Sequence, residues 1–255
     1  MLSIISPAKK LLATPLAPHK DSTHIGFEKQ TLELVEHLKK MAIADISKLM
    51  GLSENLSRLN FERYQAFDLN GSKEQPSVNA LFLFQGDVYQ SLDAESLSEQ
   101  SIEFSKMHLN ILSGLYGLIK PLDLIQPYRL EMGTKLENIY GKNLYDFWQN
   151  SLTELVNQTL ATHETPVLLN LASSEYSKVI NPKKLNHPMV TIHFKENKNG
   201  QLKTIGIHAK RARGAFARFI LTTQSDTINE LFEFNELGYQ YQAALSNTKN
   251  LVFIR

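Results

Sequence analysis

Three apolar runs in this 255-residue chain break off into polar clusters whose side chains can do chemistry. They are Ser6-Pro7-Ala8-Lys9, Gly86-Asp87-Val88-Tyr89 and Ser173-Ser174-Glu175-Tyr176. In α/β sheets, ligands collect beyond the carboxyl ends of strands and at helix N-termini, where unpaired N–H groups point outward. Ser6, Lys9, Arg129 and Ser173 are therefore candidates for an anion-binding pocket. Asp87, Glu131, Glu175 and Lys9 are candidates to move a proton. A plainer reading of the same residues is also open: helix caps and buried ion pairs, with Arg129 as counterion to Asp87 or Glu131.

A second feature is where the charge sits. The chain holds 27 Lys+Arg and 26 Asp+Glu. Yet from Tyr176 to Ser225 there are ten basic residues and a single acid, Glu196. A nearly neutral chain with one strongly cationic segment suggests a face meant for a polyanion. Over Lys210–Thr222, helical spacing puts Ala212, Ala215, Phe216, Phe219 and Ile220 on one half. Lys210, Arg211, Arg213, Gly214, Ala217 and Arg218 share the other. Small residues between arginines leave room for a phosphate backbone, and arginine forks grip phosphate oxygens at two points. Lys183, Lys184 and Lys195 extend the expected surface. The alternative is a solvated face, although such faces usually mix signs for i,i+4 support.

Other chemistries are excluded or unsupported. There is no cysteine, so disulfides, thiol catalysis and thiolate metal sites are ruled out. His193 and His208 would be diagonal neighbours, but nothing supplies the third ligand of a catalytic zinc. No Walker or dinucleotide-binding glycine pattern occurs, and no metal or cofactor is expected. The N-terminal stretch does not read as a signal peptide, and no run approaches the ~20 apolar residues of a membrane span. A cytoplasmic location is the default expectation.

The elements that must position these groups read as one mixed α/β domain over residues 1–255. Leu2–Ile5 is a short buried strand, with Ser6-Pro7 as N-cap and first helical position. Glu28–Lys40, Asp45–Met50 and Glu54–Phe67 have helical periodicity. Thr14–Gly26 is a loop and Asn70–Ser77 a connector. Ala80–Phe84 reads as a buried strand, and Glu99–Leu112 as a helix capped by Ser98 and stopped by Gly114. Tyr128–Met132 is a short strand, Asn143–Thr162 a helix and Val167–Leu171 a strand. Asn199-Gly200 is a two-residue hairpin turn that sets Lys198 across from Gln201 and Glu196 across from Lys203. Continued, that register pairs Phe194 with Ile205 and Ile192 with Ile207. A helix over Lys210–Thr222 follows, then a shorter one near Thr227–Phe234 and strands near Tyr239–Ala243 and Leu251–Ile254.

Leu112-Ser113-Gly114-Leu115-Tyr116-Gly117-Leu118 is an acid-poor glycine turn after a helix, with Lys120 and His108 nearby. It resembles the helix-hairpin-helix element of non-sequence-specific DNA-binding proteins, with glycines spaced G-x-x-G. In that role Gly114 and Gly117 would present amides to phosphate, assisted by Lys120. A packed turn with a glycine C-cap is the alternative.

Together these segments resemble the YaaA family of bacterial proteins. The matching stretches are the Ser6–Lys9 and Gly86–Tyr89 clusters, Leu112–Gly117, Lys120–Asp123, Gln126–Gly133, Asn170–Ser173, Glu175-Tyr176, Pro182–Leu185 and Ala209–Gly214. Lys10 departs from the pattern, since the family usually has threonine there. The resemblance implies protection against hydrogen peroxide by limiting free intracellular iron, in a cytoplasmic protein. It also implies an unusual α/β fold with a basic cleft, a helix-hairpin-helix-like element and DNA binding without strong sequence preference. The leading expectation is thus a DNA-binding stress protein that holds duplex or branched DNA by phosphate contacts. The alternative is an enzyme on a nucleotide, nucleoside or damaged base, built from the strand-exit clusters.

Overall fold

The computed structural model describes residues 1–14, 16–69, 71–72 and 75–255. Pro15 and Asn70, read as loop and connector positions, lie outside that set. The elements run β1 (Leu2–Ile5), β2 (Lys10–Leu11), α1 (Glu28–Lys39), α2 (Ile43–Met50), α3 (Glu54–Gln65) and β3 (Val78–Asn79). Next come α4 (Ala80–Leu83), β4 (Phe84–Gln85), α5 (Asp87–Leu92), α6 (Glu99–His108), β5 (Leu109–Ser113), β6 (Gly117–Ile119) and β7 (Leu124–Ile125). The last part holds α7 (Leu144–Leu160), β8 (Leu168–Asn170), α8 (Ser174–Ser177), β9 (Met189–Lys198), β10 (Gln201–Lys203), α9 (Gly206–Thr223), β11 (Gln240–Tyr241) and β12 (Asn250–Ile254).

Among the described residues the main sheet has eight strands in the order β11-β12-β9-β8-β1-β5-β6, with β10 paired to β9. Its centre is parallel: Ile4 sits between Asn110 of β5 and Asn170 of β8, and Phe194 of β9 lies beside Phe253 of β12. These strands are apolar on both faces because helices cover both, as parallel sheets require. All four residues of β1 and all five of β5 are buried. The fold is a mixed parallel and antiparallel sheet flanked by helices.

Several expected elements change identity. Ala80–Leu83 is one turn of helix rather than a strand. The segment Glu99–Leu112 divides: α6 starts on the expected cap, with Ser98 Oγ accepting from the Ser101 amide at 3.1 Å, but stops at His108. The next five residues form β5. No helix follows Ser6-Pro7; the chain stays extended, and Lys10 pairs with Gln85 instead. Tyr128–Met132 forms no strand, and the Arg129 carbonyl accepts from the Tyr64 hydroxyl instead. Near the C-terminus, the expected helix around Thr227–Phe234 is a 3-10 turn over Glu230–Glu233.

The hairpin keeps its expected register, with Gln201 across from Lys198 and Lys203 across from Glu196. It ends after three pairs. Further pairing would put Ile207 and Ala209 against Ile192 and Val190, on the edge of β9 that β8 already occupies at Met189–Thr191. The chain therefore leaves the sheet, and α9 begins at Gly206, four residues before the expected Lys210.

Helix α9 is clamped from two sides. Phe216 stacks edgewise on Phe253 at 5.2 Å and on Phe194 at 5.7 Å, fixing the helix to the sheet. Each such pair adds about 0.5–1.5 kcal/mol beyond the area it buries. The other side of the helix meets α5. Gly214 lies so close that a Cβ there would be 1.9 Å from the Val88 carbonyl oxygen and 3.1 Å from the Leu92 nitrogen. Gly214→Ala should therefore cost about 3 kcal/mol by forced overpacking, lowering the melting temperature by roughly 6–12 °C. A melting temperature within a degree of the parent would contradict this packing.

Candidate functional site

The parallel pairing of β5, β1 and β8 brings their carboxyl ends side by side. Ser6 follows β1, Ser173 follows β8 and Gly114 follows β5. Ser6 Oγ accepts from the Ser173 amide at 2.9 Å and lies 3.3 Å from Ser173 Oγ. The Ser6 carbonyl is held by the Tyr89 hydroxyl at 3.0 Å. Gly114 packs against the next wall of the site: a Cβ there would lie 2.3 Å from the Leu130 carbonyl oxygen. A side chain at 114 would push away the backbone that carries Arg129 and Glu131.

Above these strand ends lies a cleft of about 300 Å³. Its walls come from Ser6–Lys10, Gln85–Val88, Tyr128–Glu131, Leu171, Ser173, Glu175-Tyr176, and Lys210 with Arg213 of α9. All three strand-exit clusters thus meet in one place, together with the first turns of the basic helix. Two readings that were separate in the sequence, a polyanion-binding helix and a strand-end pocket, share a single cleft.

The charged groups divide into held and unheld. Glu131 Oε1 accepts from Arg129 Nε at 2.8 Å and lies 3.3 Å from Lys9 Nζ. Its other oxygen, Oε2, makes no hydrogen bond among the described residues. Glu175 Oε1 accepts from the Gly133 amide at 3.2 Å. Asp87 lies 3.4 Å from Arg211 Nε. So Arg129 is counterion to Glu131 and not to Asp87. Arg213 stands apart. Its Nε is closed off from solvent and lacks a hydrogen-bond partner among the described residues, and burial pulls its guanidinium below the usual arginine range. A buried donor left unmade costs about 1–3 kcal/mol, and more when charged. The hydroxyls of Tyr128 and Tyr176 are pushed up, first by burial, and stay protonated.

The rest of the expected basic face is rearranged. Gly214 and Ala217, read as space for a phosphate backbone, are buried under α5. Arg218 Nη1 donates to the carbonyls of Leu92 and Asp93 at 3.0 and 2.8 Å, so it caps the C-terminus of α5. Lys184 Nζ reaches Asn150 Oδ1 of α7 at 2.8 Å, which places the Lys183-Lys184 pair with that helix, and Lys195 is half-buried on β9. Glu196 is not neutralised by Lys203. His208 Nδ1 at 2.6 Å and Arg255 Nη2 at 3.0 Å hold its carboxylate. Burial works against its charge, but those two partners outweigh burial and keep the carboxyl below its ordinary range.

The glycine turn is also different from its expected form. Gly114 and Gly117 join strands β5 and β6, not two helices, and every residue from Leu109 to Ile119 is buried. The Gly114 carbonyl accepts from Trp148 Nε1 at 2.9 Å. These glycines serve packing, and Lys120 sits exposed beyond the turn.

One cluster was not visible in the sequence. His108, His163 and Asp226 bring their ligand atoms within 4.8 Å of one another. The Met1 amine lies among them, donating to Asp226 and 3.3 Å from His163 Nδ1, while His108 Nδ1 donates to the Met1 carbonyl at 2.8 Å. The cluster is filled by the chain itself. Burial, then the neighbouring amine, lowers His163 from 6.5 to about 4. Its folded value is depressed, so its stabilising contribution is complete above pH 6.5 and lost as pH falls toward 4. His163→Gln should therefore flatten the decline in melting temperature between pH 7 and pH 4.5; an unchanged slope would contradict the assignment.

The architecture places this chain among mixed α/β proteins with a cleft at the carboxyl ends of parallel strands. The model of the family described as "Peroxide stress protein YaaA" matches residues 1–245. A UPF0246 protein of Legionella pneumophila strain Lens is 51% identical over 255 residues, covering 100% of this chain and 99% of the relative. A UPF0246 protein of Aliivibrio fischeri strain MJ11 is 46% identical over 256 residues (100% and 98% covered), and one of Shewanella sediminis is 45% identical over 255 residues (100% and 99%). The chain belongs to the peroxide stress protein YaaA family. No helix among its described residues is long and apolar enough to cross a membrane.

Proposed function

We propose that the cleft binds a phosphate-bearing ligand of the nucleotide class and applies carboxylate acid–base chemistry to it, within a cytoplasmic response to peroxide. Arg213 carries this reading: a half-buried guanidinium lining the cleft, with Nε closed off and no counterion among the described residues, is stabilised by an oxyanion entering the cleft. Lys210, Ser6 and Ser173 border the same space and supply further donors. Glu131 is the group for proton transfer. Its Oε1 is fixed by Arg129 and Lys9, which leaves Oε2 free to meet substrate or water. The cavity volume suits a single nucleotide unit, near the lower end of small-ligand sites of about 300–1,000 Å³.

A second reading, DNA binding along the outer surface, is favoured by the exposed Lys183, Lys198 and Lys203, which form no ion pair among the described residues. Six neutralised phosphates would give a log–log salt slope of about −5 on duplex DNA.

Two substitutions test the first reading. Arg213→Met should weaken binding of a nucleoside monophosphate by roughly 10- to 100-fold in calorimetry, and undiminished affinity would contradict it. Glu131→Gln should retain binding within about threefold while lowering turnover by roughly 10²–10⁴. Equal turnover would remove the acid–base role.

A further inference from the structure

The cleft's own charge is unbalanced in a specific amount. Lys9, Lys10, Arg129, Lys210 and Arg213 line it, against Asp87, Glu131 and Glu175. That is an excess of two positive charges at neutral pH. Asp87 is also shared with Arg211, outside the lining, so the excess is at least two, and the neighbouring Asp93 already faces Arg218. A phosphodiester within a strand brings one negative charge and leaves one cation uncompensated. A terminal phosphomonoester brings about −1.5 to −2 charges and three strong acceptor oxygens. Of the two, the monoester comes closer to balancing the cavity.

The shape agrees with a chain end. Arg213 is half-buried, with its Nε closed off, whereas Lys9, Lys10 and Lys210 are exposed. A phosphate seated on Arg213 therefore lies innermost, with the remainder of the ligand running outward past lysines that can follow a further backbone phosphate. Glu131 and Glu175 line the same space, and a carboxylate there accepts hydrogen bonds from hydroxyl or amino groups of an attached sugar or base.

Resting on the reading of the cleft as a phosphate pocket, we propose that it selects a terminal phosphomonoester carried on a nucleoside over an internal phosphodiester, because five cations line it against three carboxylates and one of the cations, Arg213, is half-buried with no ion pair among the described residues. A free nucleoside monophosphate and the phosphorylated end of a nucleic-acid strand share this chemistry.

The test is calorimetry of the full-length protein, at fixed ionic strength, with five probes. These are a nucleoside 5′-monophosphate, its nucleoside, a dinucleoside joined by one phosphodiester with no terminal phosphate, and a short single strand with and without a 5′-phosphate. Monoester probes should bind at least about tenfold more tightly than their unphosphorylated or diester counterparts. Arg213→Met should shrink that ratio to within about threefold while leaving the unphosphorylated strand unaffected. Preference for the mononucleotide or for the strand end identifies the source, and either supports the proposal. If the diester dinucleoside binds as tightly as the monophosphate and both need Arg213, the phosphate pocket stands and the monoester selection is wrong. If no phosphate probe binds more tightly than the plain nucleoside, both fall. Should Arg213→Met unfold the chain, Lys210→Met, at an exposed position, must reduce the same ratio, and an unchanged ratio overturns the proposal.

Discussion

The close approach of α9 to α5 governs the chemistry of this molecule. Gly214 meets the Val88 carbonyl at a distance no side chain tolerates, and that contact turns a surface helix into a wall. Arg213, one residue earlier, is carried partly under cover, with its Nε closed off from solvent. Arg218, four residues later, reaches the C-terminal carbonyls of α5. Arg211 comes beside Asp87 at the start of that helix. A row of cations that would otherwise meet solvent is shared between structural capping and one cleft. Aromatic packing of Phe216 on Phe253 and Phe194 holds the helix in this position from the sheet side.

The parallel centre of the sheet provides the second half of the site. β1 pairs with β5 and β8 in parallel, so the turns that follow all three strands emerge at one edge. Ser6 and Ser173 form the floor by hydrogen-bonding each other, and Gly114 leaves the space in which Leu130 and its neighbours lie. The family relationship covers the chain to residue 245, so both halves of the cleft fall within the matched region.

Features set by local rules were legible in the sequence. Asn199-Gly200 fixed the hairpin register, Ser98 marked a helix start through a hydrogen bond that is present, and the apolar stripe of α9 packs as its spacing requires. Features set by competition between distant segments were not. Ile205 and Ile207 alternate like a strand, but β8 already fills the edge they would need. Leu109–Ser113 continues the apolar pattern of α6, and only the vacancy beside β1 makes it a strand. The basic half of α9 looked solvent-facing because helical spacing says which residues share a side, not what covers them. Gly214 and Ala217 held the missing signal: small residues between arginines suit an approaching helix as well as an approaching phosphate.

Arg213 is a half-buried cation without an anion of its own among the described residues, and it takes one from a ligand. The most direct measurement is the NMR signal of the Arg213 Nε–H group, assigned by comparison with Arg213→Met, followed during a titration with inorganic phosphate. Saturable movement of that resonance to the downfield position of a charge-assisted hydrogen bond, with Arg218 unmoved, is the predicted result. An Arg213 signal that stays in place while phosphate saturates the protein, or that already shows a carboxylate partner before phosphate is added, would contradict the account.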